Sequence, residues 1–213
     1  NFPETLEHLP RNKAVVTGTP IRQELMSGNK LAALRFCSFT ANKPVIMVIG
    51  GSLGSVAVNE AVRSILPELL RDFQVVHLCG KDKLDPSLNG LEGYVQFEYI
   101  KKELADLFAM ADLVISRAGA NAICEISALA KPNLLIPLSA KASRGDQILN
   151  ARSFEKQGYS VVLEEEELTD ESLLTAIRQL YDQRESYIAA MKSGSHTDSI
   201  RRILSLIQEC AKN

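Results

Sequence analysis

Residues 45–62 read Val-Ile-Met-Val-Ile-Gly-Gly-Ser-Leu-Gly-Ser-Val-Ala-Val-Asn-Glu-Ala-Val, and the order of the parts carries the architecture. Five continuous apolar residues, Val45–Ile49, suit a strand buried on both faces. A glycine-rich turn follows. Val58 and Val62 then open a stripe at helical spacing, continued by Ile65, Leu66, Leu69 and Leu70, with Pro67 marking a kink or a fresh first turn. Strand, tight loop and helix in that order make the unit of a parallel sheet.

The same alternation extends in both directions. Strands are predicted over 14–17, 75–79, 94–97, 113–116, 133–136 and 160–163, besides 45–49. Between them run helical stripes: Leu104, Leu107, Phe108 and Ala111; Ile123, Ile126 and Ala130; Leu173, Leu174, Ile177 and Leu180. The predicted class is α/β, a doubly wound parallel sheet in one Rossmann-like domain, with no internal repeat.

Composition narrows the function classes. The chain has 213 residues, 46% of them hydrophobic and 23% charged, enough for a sizeable core without staples. A net charge of −2 excludes the basic footprint of a nucleic-acid binder. No apolar run reaches the roughly 18 residues of a membrane span. The chain opens on Asn1 rather than Met, and residues 1–13 are polar with no signal-peptide core, so a fragment or a processed product is expected.

Cys37, Cys79, Cys124 and Cys210 form no C-x-x-C pair, and no histidine stands near them in metal-ligand spacing. Buried free thiols, compatible with a cytoplasmic protein, are expected at Cys79 and Cys124. His77 sits inside an apolar run and reads as a core or strand-end histidine rather than a base. The acidic run 164–167 reads as a solvated turn before a helix capped by Thr169, with Asp170 and Glu171 at its positive start. Ser195-His196-Thr197-Asp198 reads as a capping box. The helix after it carries Ile200, Ile203, Leu204, Ile207 and Ala211 on one stripe, with Arg201, Arg202 and Glu209 outside it. That stripe either packs on the core or docks on something beyond this chain.

In a doubly wound sheet, ligands bind beyond the carboxyl ends of the strands. Three strand ends carry unusual loops. Gly50-Gly51-Ser52-Leu53-Gly54-Ser55 lets backbone approach a ligand and leads to free N–H groups at a helix start, which suits a phosphate or simply a tight turn. It is neither a Walker A loop nor G-x-G-x-x-G. Ser116-Arg117-Ala118-Gly119-Ala120-Asn121-Ala122-Ile123-Cys124-Glu125 keeps a helix entrance open for a diphosphate and sets Glu125 off the Ile123/Ile126 stripe. A carboxylate there can accept two hydrogen bonds from a ribose diol, or be a solvated mid-helix residue. Arg144-Gly145-Asp146-Gln147-Ile148-Leu149-Asn150 begins a helix with Gln147 and Asn150 on one face. Amides donate and accept, as sugar hydroxyls require. Together the loops describe a pocket for a nucleotide diphosphate carrying a polar group, and no Ser/His/Asp triad or metal cluster competes.

These strings resemble the donor-binding, C-terminal half of the MurG family, bacterial glycosyltransferases that add N-acetylglucosamine to lipid I to make lipid II for peptidoglycan. Thr17-Gly18-Thr19-Pro20-Ile21-Arg22 is similar to the family's Gly-x-Pro-x-Arg entry to that half, and Ser143-Arg144-Gly145-Asp146-Gln147 resembles versions from low-GC Gram-positive bacteria. The resemblance covers nearly the whole chain. It implies the C-terminal Rossmann-like domain of a glycosyltransferase B fold. Residues 1–13 are then a remnant of the interdomain linker, 14–194 the UDP-sugar domain, and 195–213 a helix packing toward an N-terminal domain.

The resemblance also implies site roles. Arg22 and the backbone of Ile100 would contact uracil. Ser52, with Gly51, Leu53 and Gly54, would hold the diphosphate. Arg117, Ala118 and Gly119 lie on the second loop of that site. Glu125 would accept the ribose hydroxyls, and Ala120, Asn121 and Ala122 would line the sugar site. Gln147 and Asn150, with Asp146 beside them, would hold the N-acetylglucosamine hydroxyls. This chain departs from some family members at Asn121 and Ala122, where others carry an apolar residue and Thr, and at Asp146, where an amide or His is frequent.

The implied reaction is an inverting displacement. Helix dipoles and N–H groups stabilise the UDP leaving group, with no obligatory metal and no cofactor. The catalytic base and the lipid-facing surface belong to the other half, so no catalytic residue is expected here. The implied partners are UDP-N-acetylglucosamine, lipid I through the other half, the cytoplasmic face of the membrane and cell-wall synthesis proteins, with no nucleic acid. Two other readings stay open: a stand-alone donor subunit of a split glycosyltransferase, and another UDP-sugar enzyme of this fold, such as a 2-epimerase or a glycolipid synthase.

Overall fold

The computed structural model describes residues 2–10, 13–51, 53–142, 144–194 and 199–211. Six strands form one all-parallel sheet: β1 (Val45–Ile49), β2 (Gln74–Leu78), β3 (Tyr94–Phe97), β4 (Leu113–Ser116), β5 (Asn133–Leu135) and β6 (Ser160–Val162). Their spatial order is β3-β2-β1-β4-β5-β6. The chain builds one half outward from β1, returns, and builds the other half outward from β4. The direction of winding therefore reverses between β1 and β4, and a crevice opens beyond their carboxyl ends.

Helices cover both faces, as parallel strands require. They are α1 (Lys30–Cys37), α2 (Val56–Ser64), α3 (Leu66–Asp72), α4 (Leu104–Met110), α5 (Ala120–Ala128), α6 (Asp146–Lys156), α7 (Asp170–Asp182), α8 (Arg184–Ser193) and α9 (Ser199–Cys210). The two-residue period of the strands divides the core. Ile46, Val48, Val75, Leu113 and Ile115 face α2, α3 and α7 through Val62, Leu69 and Ile177. Val45, Met47, Val76 and Val114 face α1 and α4 through Leu34, Leu107 and Phe108. That second face continues in a cluster of Ile123, Leu135, Phe154 and Met191 from α5, β5, α6 and α8.

Pro67 starts a new helix rather than kinking one. It stands in the first turn of α3, where its missing N–H costs nothing. Thr169 caps α7 and exchanges hydrogen bonds with Ser172 in a capping box. α1 escaped the periodicity reading because it is short, and Asn29 caps it by accepting from the Ala32 N–H at 3.1 Å.

The predicted strand over 14–17 is not a strand. Among the described residues its backbone pairs with no neighbouring strand, and Val15 is exposed. β-branched residues make a strand only where a sheet edge receives them, and this segment instead runs beside Phe2, Cys124 and Tyr159. Cys37 and Cys79 are buried thiols, Cys124 is half-buried and Cys210 is exposed. Burial pushes the Cys37 thiol up to about 12. The predicted capping box over 195–198 lies outside the described residues. Beyond it α9 exposes Ile200, Leu204 and Ile207. Among the described residues, no helix is long and apolar enough to cross a membrane.

Candidate functional site

At the carboxyl end of β1 the chain turns through the glycine loop into α2. Gly54 has φ +69°, and a Cβ there would run into the Cys79 carbonyl and the backbone of Gly80. Only glycine lets this loop lie directly on the loop after β2. Lys83 Nζ donates to the Leu53 carbonyl at 2.8 Å, and Asn59 Nδ2 donates to the Cys79 carbonyl at 2.9 Å, so the two loops brace each other. Ser55 caps α2, its Oγ accepting from the Val58 N–H. Ser52, expected to hold a phosphate, lies outside the described residues.

At the carboxyl end of β4, Gly119 is the N-cap of α5 and offers no side chain to close its first turn. The N-termini of α2 and α5 thus flank the crevice from both sides of the reversal point. Between them lies a cleft of about 730 Å3. Of the expected residues it brings together Gly51, Leu53, Gly54, Arg117, Gly119, Ala120, Asn121, Ala122 and Gln147. Two helix starts on one crevice, that of α5 without a side-chain cap, favour an anion.

Arg117 forms the floor, and its guanidinium is committed to its own chain. Nη1 donates to the carbonyls of Ile136 and Pro137 at 3.2 and 3.0 Å, and Nη2 donates to Ser55 Oγ at 2.6 Å. Nη2 also pairs with Glu165. One buried side chain therefore fastens the ends of β4 and β5, the cap of α2 and the segment after β6. The run 164–167 is a turn before α7 with Glu166 and Glu167 exposed, as expected, but Glu164 and Glu165 are half-buried rather than solvated. Glu164 pairs with Arg152, Glu165 with Arg117, and Glu166 accepts from Ser139 Oγ. The Ser139 hydrogen bond holds the Glu166 carboxyl below its ordinary range. Nothing in the local sequence signals these contacts, because each partner lies at least twelve residues away and on another element. Ser55 was legible, as a serine directly before a helical stripe.

α6 supplies the amides. Gly145, at φ +80°, turns the chain into α6. Gln147 Oε1 accepts from the Leu138 N–H at 3.1 Å, and Asn150 Nδ2 donates to the Ala118 carbonyl at 3.1 Å. Each bond uses one end of the amide. Among the described residues the other end has no hydrogen bond. Asp146 is exposed, and neither it nor Asn150 lines the cleft. Ala118 is fully buried and also contributes no lining.

Glu125 lies three residues beyond Ala122 on α5, on the same face and off the buried Ile123/Ile126 stripe. Its carboxylate receives Arg22 as a fork: Nε donates to Oε1 at 2.9 Å and Nη2 to Oε2 at 3.0 Å. These hydrogen bonds raise the Arg22 pKa above its ordinary value. Arg22 and Glu125 therefore meet, although neither lines the cleft itself. Ile100 is half-buried against the α1/α4 core cluster.

His77 is fully buried in β2. Its Nε2 faces Asn59 Oδ1 at 3.0 Å and its Nδ1 faces the Tyr94 hydroxyl at 3.1 Å. Burial, aided by the Arg63 charge, pulls its pKa down to about 3, so it is a neutral core residue. A larger cavity of about 910 Å3 lies between the N-terminal segment, α6 and α9, lined by Phe2, Val15, Tyr159 and Arg201 among others. It holds none of the strand-end loops, so position at the reversal point, not size, marks the site.

Residues 45–207 match the glycosyltransferase family 28 C-terminal domain. The chain is 64% identical over 212 residues to the UDP-N-acetylglucosamine--N-acetylmuramyl-(pentapeptide) pyrophosphoryl-undecaprenol N-acetylglucosamine transferase of Lachnospira eligens, covering 100% of this chain and 60% of that protein. It is 64% identical over 209 residues to the same-named enzyme of Lachnoclostridium phytofermentans, covering 98% of this chain and 59% of that protein. The chain thus spans about 60% of the length of the relatives it matches. Among solved structures it superposes on MurG from Acinetobacter baumannii with a TM-score of 0.70 at 23% identity, over 97% of this chain and 62% of that one. It also superposes on the calicheamicin glycosyltransferase CalG4 with a TM-score of 0.61 at 19% identity, over 79% and 42%. At these identities the likeness is one of fold.

Proposed function

The chain belongs to the glycosyltransferase family 28 C-terminal domain family, and from that membership we propose that it is the donor-nucleotide domain of a transferase. The reaction is the inverting transfer of N-acetylglucosamine from UDP-N-acetylglucosamine to lipid I, in peptidoglycan synthesis. The observation that carries this reading is the cleft between the N-termini of α2 and α5, with Gln147 on its wall and Glu125 one helical turn beyond it on α5.

Each part has a task. The glycine loop and the two helix starts receive the diphosphate, whose charge grows as the bond to the anomeric carbon breaks. Their dipoles are oriented before the reaction, so no reorganisation opposes it. Glu125 accepts from the ribose hydroxyls. Gln147 and Asn150 offer the unused ends of their amides to the sugar, with Asp146 beside them. Arg22 and Ile100 lie toward the base, and Ser52 on the diphosphate loop. The acceptor hydroxyl must lose a proton to a base, which we assign to the part of the longer relatives that this chain does not span. The same part meets lipid I at the cytoplasmic face of the membrane. The exposed Ile200, Leu204 and Ile207 of α9 support a helix that packs toward that part.

Titration calorimetry of the chain with UDP-N-acetylglucosamine tests the donor site. Binding is expected with UDP and with the UDP-sugar, and no heat at millimolar nucleotide would count against the site. Glu125→Ala is expected to weaken binding by about 1.5–3 kcal/mol, the scale of hydrogen bonds to a charged group. An unchanged affinity removes Glu125 from the ribose role.

A further inference from the structure

A loop that seats a diphosphate must turn its carbonyl oxygens, which carry partial negative charge, away from the ligand. Two carbonyls of the glycine loop are answered. That of Gly51 accepts from the Gly54 N–H at 3.1 Å, within the loop itself. That of Leu53 is answered from outside, by Lys83 Nζ at 2.8 Å. Gly80, at φ +89°, makes room for this carbonyl, since a Cβ there would stand 2.5 Å from it. The Leu53 side chain packs on little, for the residue is 80% exposed. The bond from Lys83 therefore does the holding that side-chain burial does elsewhere. Without it, the Leu53 carbonyl is free to turn toward the cleft that Leu53 lines.

Lys83 is itself held at its root. Its N–H donates to the Gly80 carbonyl at 3.3 Å, and its carbonyl accepts from Arg63 Nη2 at 2.6 Å. Arg63 stands on α2, the helix that the glycine loop opens, so glycine loop, α2, Arg63 and Lys83 close a ring. Two residues on, Asp85 exchanges hydrogen bonds with the Gln96 amide of β3, its N–H donating at 3.0 Å and its carbonyl accepting at 2.6 Å. Asp82 lies in the left-handed region at φ +58°, uncommon for a residue with a side chain, and Glu98 Oε1 accepts from its N–H at 2.9 Å. The turn that carries Lys83 is thus fixed on every side. Nζ has carbonyl partners, Leu53 and, at 3.5 Å, Lys81, and among the described residues no carboxylate pairs with it. Its charge stays available to the site, whereas Arg117 in the cleft floor is paired with Glu165.

The geometry points to Lys83 as a positioning residue of the diphosphate seat, acting through the Leu53 carbonyl rather than by touching the ligand. This rests on the donor-site reading above and deepens it. The consequence is selective. Loss of the Lys83 bond weakens the grip on the diphosphate and leaves the grip on the nucleoside as it was.

The experiment is NMR titration of the chain, of Lys83→Met and of Lys83→Arg with UDP and with uridine, and a melting curve of each protein. Lys83→Met is expected to weaken UDP by roughly fivefold, the worth of one half-exposed charge interaction. Uridine affinity and the melting curve are expected to stay as they were. Lys83→Arg keeps a cationic donor and is expected to regain most of the UDP affinity. A UDP-to-uridine ratio in Lys83→Met equal to that of the unaltered chain overturns the proposal and leaves the donor site standing. So does an equal loss of both ligands, which makes the lysine a merely structural residue, and so does Lys83→Arg binding UDP as weakly as Lys83→Met. Binding of neither ligand by the unaltered chain overturns the donor-site reading and this proposal with it.

Discussion

Two arginine–glutamate pairs differ in their distance from water. Arg117 and Glu165 have side chains 10% and 22% exposed, and Arg117 has three further hydrogen bonds to neighbouring elements. Arg22 and Glu125 meet through two bonds of ordinary length, with the arginine 56% exposed. The chemistry is the same and the consequence is not. A guanidinium removed from water must have every donor direction answered, so Arg117 is a structural rivet between strand ends. A guanidinium in water gains little by its pair, so the Arg22–Glu125 pair adds little to the stability of the fold.

The sharpest way to break this contrast is Arg117→Met. It leaves Glu165 without its cation and removes the donor to Ser55, and it is expected to cost about 3–5 kcal/mol of stability, as broken buried pairs do. Urea unfolding measures it, and a loss below about 1 kcal/mol would place Arg117 with the exposed pair.

A buried group with no opposite charge sharpens the contrast further. His77 has Asn59 and Tyr94 as partners and the Arg63 charge nearby, and it stays neutral with its pKa pulled from 6.5 to about 3. The unfolded chain binds a proton at this residue below about pH 6.5, and the folded chain does not until about pH 3. Its neutral form therefore supports the fold fully above pH 6.5, and stability falls as pH drops below that value. The expected slope is about 1.4 kcal/mol per pH unit between roughly pH 6 and 4. Urea unfolding at pH 7.5 and pH 5 checks it. His77→Gln should lose this part of the slope, and identical slopes in both proteins would refute the assignment.

The smallest expected effect lies at the exposed pair. Arg22→Ala is expected to change unfolding free energy by no more than about 0.5 kcal/mol. A thermal melt that drops as far as that of Arg117→Met would erase the distinction between the buried rivet and the exposed pair.

The architecture was legible because it rests on continuous apolar runs. Val45–Ile49 and Leu113–Ser116 are strands at the expected residues, since an apolar run buried on both faces leaves little to blur it, and the partly buried edge strand Tyr94–Phe97 also stands where expected. The cleft was legible as far as its loops were local, in the glycines after β1 and the small residues after β4. Two kinds of feature were not. The 14–17 segment has strand composition without a sheet edge to join. The run 164–167 has the composition of a solvated turn, yet Glu165 reaches Arg117 forty-eight residues earlier in the chain.

By itself the sequence determined the α/β class, the loops that hold the candidate site and the resemblance to one transferase family. Those depend on period, on glycine placement and on residue type, which are properties of neighbours in the chain. Only the tertiary structure decided which charges meet. The order β3-β2-β1-β4-β5-β6 brings the ends of β1, β4 and β5 to one crevice. There, residues far apart in sequence become hydrogen-bond partners, and burial sets whether each pair holds the fold together or adds little to it.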